Sequence, residues 1–375
     1  MNKTICIVVN IDWFFLSHRL PIALAAKERG YAVVILTKDT GRKNEIESRG
    51  LGFVDIPFER SGTNPLHEIK CIYLLYKYFR QRRPDIIHQV TLKAALLGSV
   101  AAKFARVHSV VNAISGFGYN FTEGRNGIRQ KIIKGMMQLA FKSKSFNYIF
   151  QNPDDVQDFS SLNFVPSHHI HLIKGSGVDL SVFTYNPEVT KEIVRLVLPA
   201  RMLFDKGVVE FIHAAKKIKE VVSAKAEFLL VGDCDTTNLA GIAEEALRQM
   251  EDEIYIRWCG FQKDMFEVVK NADIVVLPSY REGLPKSLIE ACAVGRPIIT
   301  TDTQGCRECV VDGYNGFLVP VKNVEQLADK MKVLILDQEL RAEMGRNSRL
   351  LAEKEFSITS VVEKHLAIYK ELAEK

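Results

Sequence analysis

The chain lacks any apolar run approaching the roughly 18 residues of a membrane-spanning helix. It also lacks the pattern of an export leader: after Met1-Asn2-Lys3-Thr4 the apolar stretch is short and is broken by Asn10 and Asp12. These absences predict a soluble or peripheral protein. There is no low-complexity tract and no internal repeat of about 20–50 residues, which excludes a solenoid or a disordered tail. No Gly-x-Gly-x-x-Gly follows the first apolar run, 4–10, so a nicotinamide-dependent enzyme is disfavoured. The seven cysteines are odd in number and scattered, which argues against a disulfide scaffold and for a reducing compartment. Cys306-x-x-Cys309 has no second pair at zinc-ligand spacing. No nucleic-acid-binding motif is present.

What is present suits two globular domains: 375 residues, 47% of them hydrophobic. Charge is unevenly placed. Residues 1–185 carry 24 lysines and arginines against 14 carboxylates, and residues 186–375 carry 26 against 31. A basic half points to an anionic partner, with a membrane surface or a diphosphate-linked acceptor fitting better than nucleic acid. In the first half, short apolar runs at 4–10, 31–37, 51–56, 85–89, 109–113 and 147–151 predict strands. Helical patterns at 17–29, 66–82, 91–105 and 127–143 separate them. The second half repeats the alternation, with strands near 195–200, 227–231, 254–258, 273–277 and 297–300. Its helices are expected near 207–222, 237–250, 263–271, 286–294, 323–336 and 338–353. Strands alternating with helices imply parallel, doubly wound α/β sheets. The domains are expected at 1–185 and 186–356, with a last helix over 357–375.

The most telling segment runs from the apolar 273–277 through Glu282-Gly283-Leu284-Pro285 into a helix over 286–294, with Pro285 expected as its first residue. Free N–H groups at a helix start can face a phosphate, and Glu282 and Glu290 flank this start. Hydroxyl acceptors beside phosphate donors suit a nucleotide-sugar. The spacing Glu282-x7-Glu290 continues through Ala291–Thr300, Gly305-Cys306-Arg307-Glu308 and Gly313–Val319. Together these resemble the retaining glycosyltransferases of family 4, and within them bacterial enzymes that extend undecaprenyl-diphosphate-linked glycans.

The resemblance implies a GT-B fold: two Rossmann-like domains with the donor bound between their carboxyl edges, and a C-terminal helix returning to the first domain. It implies that Arg201 and Lys206 bind the donor diphosphate, Glu282 the transferred sugar with help from the backbone of Gly283 and Leu284, and Glu290 the ribose. Gly260 and Phe261 would line the base pocket. No metal is expected. A leaving diphosphate in such a site needs cations and N–H dipoles in its place. Asp233-Cys234-Asp235 resembles the metal motif of a different transferase fold, but a polar turn is the alternative.

The acceptor side is harder to read. The first loop, 10–15, has no glycine where many relatives do. His18 and Arg19 either face an acceptor diphosphate or simply open a helix. Ser115 stands where many relatives carry a histidine, so no general base transfers to that position. Gly116 and Gly118 permit close backbone approach. His88, at a strand end, is a structural histidine or a base. Two basic-apolar segments, 70–83 and 125–144, are either lipid-facing helices or ordinary amphipathic ones. The expected activity is transfer of a hexose or N-acetylhexosamine, GalNAc favoured, from a UDP-sugar to a lipid-diphosphate-linked glycan at the cytoplasmic face of a bacterial inner membrane. The alternatives are a GT-B epimerase and a non-catalytic two-lobed binder of sugar nucleotides.

Overall fold

The structure, a computed structural model, describes residues 3–59, 64–117, 128–187, 192–235, 238–252 and 254–374. The chain divides into two compact units, one of residues 1–176 with 360–375, the other of 177–359. The boundary expected between 185 and 186 lies inside the second unit, where the Asn186 amide donates to the Val294 carbonyl.

The first unit runs β1 (Thr4–Ile11), α1 (Asp12–His18), α2 (Leu20–Glu28), β2 (Ala32–Lys38), α3 (Lys43–Glu47), β3 (Gly52–Asp55) and α4 (Pro65–Arg82). It continues through β4 (Ile86–Val90), α5 (Leu92–Ala105), β5 (Val110–Ile114), α6 (Ile128–Phe141), β6 (Phe146–Phe150), α7 (Pro153–Ser160) and β7 (Ile170–Leu172). Its strands form one parallel sheet in the order β3-β2-β1-β4-β5-β6-β7. Strand side chains alternate between faces, and both faces are covered. Ile5, Ile7 and Val9 enter one apolar cluster; Cys6 and Val8 enter the other. That double burial is why the first strand reads as a continuous apolar run.

The second unit contains β8 (Val194–Pro199), α8 (Val208–Val222), β9 (Ala226–Val231), α9 (Glu244–Met250), β10 (Ile256–Trp258), α10 (Met265–Asn271), β11 (Ile274–Leu277) and α11 (Lys286–Val294). Then come β12 (Ile298–Thr301), β13 (Gly316–Val319), α12 (Val324–Leu336) and α13 (Gln338–Leu351). The sheet is again parallel, ordered β10-β9-β8-β11-β12-β13. Leu196 and Leu198 join one core cluster and Val197 the other. The last helix, α14 (Ile358–Glu374), packs Val361, Leu366, Ile368, Tyr369 and Leu372 into the core of the first unit. No described helix is long and apolar enough to cross a membrane.

Several boundaries differ from expectation for local reasons. The helix expected over 17–29 is two helices, interrupted at Arg19 (φ −129°, ψ −10°). Pro21, near the start of α2, has no N–H with which to continue a helix from α1. The helix expected over 237–250 starts only at Glu244. Ahead of it Gly241 pairs with Leu203, and the Ile242 amide donates to the Met202 carbonyl. Pro285 is not the first helical residue. It precedes Lys286 in an extended conformation (φ −71°, ψ 120°), and its carbonyl accepts from the Leu288 and Ile289 amides. β7, β13, α3 and α7 stand outside the expected elements; β7 and α3 have only three and five residues.

Candidate functional site

Strand order reverses in the second unit between β8 and β11, the position at which open α/β sheets bind ligands beyond their carboxyl ends. After β8 the chain passes Arg201, makes a single 3₁₀ turn over Phe204–Lys206 and enters α8 through Gly207 at φ 72°. A side chain at Gly207 would collide with the Pro278 carbonyl, so this loop lies directly against the one that leaves β11.

The two loops are joined through Asp205. Its carbonyl accepts from the Tyr280 amide at 2.9 Å and lies 3.0 Å from the Ser279 hydroxyl. The same hydroxyl is 3.0 Å from Glu282 Oε1. Lys206 Nζ donates to that oxygen, in an ion pair whose side chains are only 17% and 15% exposed. Glu282 is held from behind as well: its amide donates to the Gln304 carbonyl at 3.1 Å. Gly305 packs so closely on the Glu282 and Gly283 carbonyls that a Cβ would not fit. Tyr280 is fixed by Glu210, which accepts from its hydroxyl at 2.6 Å, and by Lys322 4.7 Å above its ring. Lys206 and Glu282, 76 positions apart, are thus brought together.

Arg201 lies in the same post-β8 loop and donates through Nη1 to Asp235 at 2.6 Å. Residues 233–235 run parallel beside it, with Met202 opposite Cys234 and the Met202 amide on the Asp233 carbonyl. Asp235 is therefore a partner of Arg201, and Asp233 accepts from the neighbouring Cys234 amide. Among the described residues no group of three His, Cys, Asp or Glu is arranged to hold a metal ion.

Glu290 lies on α11, 4% exposed, with Lys286 3.1 Å away on the preceding turn. Burial pushes its carboxyl above the usual range, and Lys286 pulls it partly back. Leu284 is buried in the core that carries α11. Gly260, at φ 65°, follows β10 and accepts from the Gly232 amide, while Phe261 is exposed. They lie two strands away from β8. Cys306 and Cys309 are buried packing residues; burial pushes the Cys306 thiol up to about 12.

In the first unit the reversal falls between β1 and β4. Here Thr91 donates through its hydroxyl to Asn10 Oδ1 at 2.9 Å. The glycine-free stretch 10–15, expected as a loop, is instead the end of β1 and the start of α1; Asp12 opens that helix, and its buried carboxylate accepts from the Thr40 amide at 2.6 Å, the Thr40 hydroxyl at 2.6 Å and the Arg42 amide at 3.3 Å. The His18-Arg19 pair is split. His18 stacks on Phe14 at 4.1 Å and sits 2.6 Å from the Ser17 hydroxyl. Arg19 is buried, and burial lowers its pKa to about 10. His88 is not at a strand end. It lies in mid-β4, fully buried, hydrogen-bonded to Tyr369 of α14 and stacked on His365. It is a core histidine. Ser115 and Gly116 follow β5, Gly116 at φ 67° with open space beside its Cα; Gly118 lies outside the described residues.

Sequence reading missed Ser279, Asp235 as the partner of Arg201, and Asp12. Ser279 lay inside the quoted motif, but nothing local marks a serine as a bridge between loops.

Both halves of the chain match known families. Residues 186–351 match the model of glycosyl transferases group 1, and residues 4–152 that of the glycosyl transferase 4-like family. Over 95% of this chain and 97% of its own length, an N,N'-diacetylbacillosaminyl-diphospho-undecaprenol alpha-1,3-N-acetylgalactosaminyltransferase of Campylobacter jejuni is 28% identical. An Escherichia coli UDP-Gal:alpha-D-GlcNAc-diphosphoundecaprenol alpha-1,3-galactosyltransferase is 22% identical over 90% of this chain and 89% of its own. Among solved structures, Anabaena Alr3699/HepE in complex with UDP and glucose superposes with a TM-score of 0.77 at 15% identity, covering 98% of this chain and 100% of that one.

Proposed function

We propose that this chain, which belongs to the glycosyltransferases with the GT-B fold, moves a hexose or N-acetylhexosamine from a UDP-sugar to a lipid-diphosphate-linked glycan with retention at the anomeric carbon. The observation that carries the reading is the Lys206–Glu282 pair at the switch point of the second unit. It sets a cation suited to phosphate beside a carboxylate suited to sugar hydroxyls. Charge-assisted hydrogen bonds of both kinds are the strong ones.

In this reading Arg201 and Lys206 neutralise the diphosphate as the anomeric C–O bond breaks. Glu282 orients the sugar, with the Gly283 and Leu284 amides beside it. Glu290 accepts from the ribose, and Gly260 and Phe261 border the base. Attack comes from the face that the diphosphate leaves, and the departing phosphate oxygen takes the acceptor's proton. The charge stabilisation comes from the chain's own cations, so no metal is invoked. The relatives' names support N-acetylgalactosamine or galactose as the transferred sugar and an undecaprenyl-diphosphate glycan as the acceptor.

Such an acceptor lies in a membrane, and α4 offers a face for it. Leu66, Ile69 and Tyr73 are exposed at helical spacing, with exposed Lys70, Lys77 and Arg80 on the same helix. Apolar insertion with flanking cations suits anionic lipid, which supports peripheral association with a membrane surface, in this reading the cytoplasmic face of a bacterial inner membrane. The acceptor-side residues of the first unit, His18, Arg19, Ser115, Gly116 and Gly118, remain part of this reading, with Arg19 acting from within the core.

The test is a donor screen. UDP- and GDP-sugars are offered with a short lipid-diphosphate saccharide, and products are read by mass. One added sugar from a UDP donor is expected. Transfer from GDP-sugars alone overturns the donor assignment, and epimer formation without acceptor overturns the reaction.

A further inference from the structure

Both cations assigned above to the donor diphosphate already hold a carboxylate of the chain: Arg201 holds Asp235, and Lys206 holds Glu282. Glu282 has a second task at the sugar. Asp235 belongs to a motif, Asp233-x-Asp235, to which the reading above gives no role. Its placement is firmly built. Residues 233–235 pair alongside Met202, the Ile242 amide returns to the Met202 carbonyl, and the Phe204 amide donates to Ala240. Residues 233–235 and 240–242 thus both lie against the Arg201 loop. The first of these segments delivers a carboxylate that is 11% exposed to a guanidinium that is 40% exposed. The buried partner is the acid, and the open side of the pair is the arginine.

We propose that Asp235 is a counter-ion that competes with the donor diphosphate for Arg201, and so sets how tightly a nucleoside diphosphate is held. This rests on the reading that Arg201 binds the diphosphate. The physical reason is direct. A guanidinium already paired with a carboxylate at 2.6 Å attracts a second anion less than a bare one does, and a phosphate that takes the N–H facing Asp235 competes with it for that hydrogen. The consequence falls on product as well as substrate. After transfer, UDP carries more negative charge on its terminal phosphate than the donor carried there, so an unopposed Arg201 would retain it. Product release limits turnover in many enzymes, and Asp235 returning to Arg201 favours release of UDP.

The experiment is calorimetric titration of UDP, and of uridine as a probe without phosphate, into the full chain and its variants. Asp235→Asn keeps the shape and removes the charge. Because partly exposed ion pairs are weak, UDP is expected to bind roughly two- to fivefold more tightly, corresponding to the modest coupling of such pairs. Uridine affinity should not change. The tightening should vanish when Arg201→Ala is added, and UDP should become a stronger product inhibitor of the Asp235→Asn enzyme. Unchanged or weaker UDP binding in Asp235→Asn, with Arg201→Ala still weakening it, overturns the inference but leaves the site reading standing. If Arg201→Ala and Lys206→Ala both leave UDP binding unchanged, the site reading falls and the inference with it. Should Asp235→Asn not fold, Asp235→Ser removes the same charge and answers the same question.

Discussion

Where strand order reverses in the second unit, two loops meet through a lysine and a glutamate; where it reverses in the first, they meet through Asn10 and Thr91. The topology is the same and the chemistry is not. One junction is charged and can exchange its internal ion pair for a ligand's phosphate. The other is uncharged and presents hydroxyl and amide groups. Thr91 also sits at φ 79°, ψ 154°, a conformation that costs a β-branched residue on the order of 1–3 kcal/mol and that surrounding structure must enforce. The nearby acid of the first unit, Asp12 at the start of α1, is engaged in holding the backbone of Thr40 and Arg42 and the Thr40 hydroxyl. A parallel sheet therefore places a site, while the residues just past its strands decide whether that site answers to anions or to hydroxyls.

This contrast can be broken most sharply by turnover. Lys206→Ala and Glu282→Ala should each lower kcat roughly 10²–10³-fold, the loss typical of removing one electrostatic contact to a transition state. Asn10→Ala should lower it by less than about tenfold, as befits a neutral contact. Steady-state assays with a UDP-sugar and lipid acceptor measure all three, and equal losses would erase the distinction between the junctions.

Stability offers a second comparison, because each unit holds one tryptophan, Trp13 in the first and Trp258 in the second. The aromatic cluster beneath the first sheet centres on Phe159, whose ring meets Phe117, Phe141, Tyr148, Phe150 and Phe164. Phe159→Ala should cost about 3–5 kcal/mol. In urea titrations the loss should be read by Trp13 in a Trp258→Phe background.

Smaller effects should appear with pH, and with opposite signs. Burial holds His88 well below its ordinary value, and likewise lowers His365 to about 3. Neutral histidine is thus favoured by folding. The stability it contributes is present above the ordinary value of 6.5 and is lost as pH falls from there toward about 3. His365→Phe should reduce the acid sensitivity of the Trp13 signal. Glu290 runs the other way: with its folded pKa raised by burial, the protonated form is favoured. Its contribution is present at low pH and is lost as pH rises through the raised value. Glu290→Gln should therefore gain stability over the parent at neutral pH on the Trp258 signal, with the gap closing in acid. A parallel response of both tryptophans would show that these groups do not set the acid behaviour of their units.

Much of the fold was legible because burial on two faces writes itself as apolar runs, as in Thr4–Ile11 and Ile274–Leu277. β7 was not, because His171 interrupts its three residues, and β13 was read as part of the motif at 313–319 rather than as a strand. The helical break at Arg19 was signalled by Pro21. The delayed start of α9 was not, because residues 241 and 242 pair with a segment nearly forty positions earlier. Whether His88 was structural was decided only by α14, whose Tyr369 bonds it in the core.

The sequence by itself determined the alternation of strand and helix, the glycine and proline turns, and the acidic and basic side chains that follow β8 and β11, since all of these depend on neighbours a few positions apart. Only the tertiary structure decided that Lys206 faces Glu282, that Arg201 faces Asp235, and that Ser279 joins two loops. Those meetings join residues 76, 34 and 3 positions apart. The two long ones exist because parallel strands distant in sequence lie side by side, and the third because the β11 loop folds back on itself against Asp205.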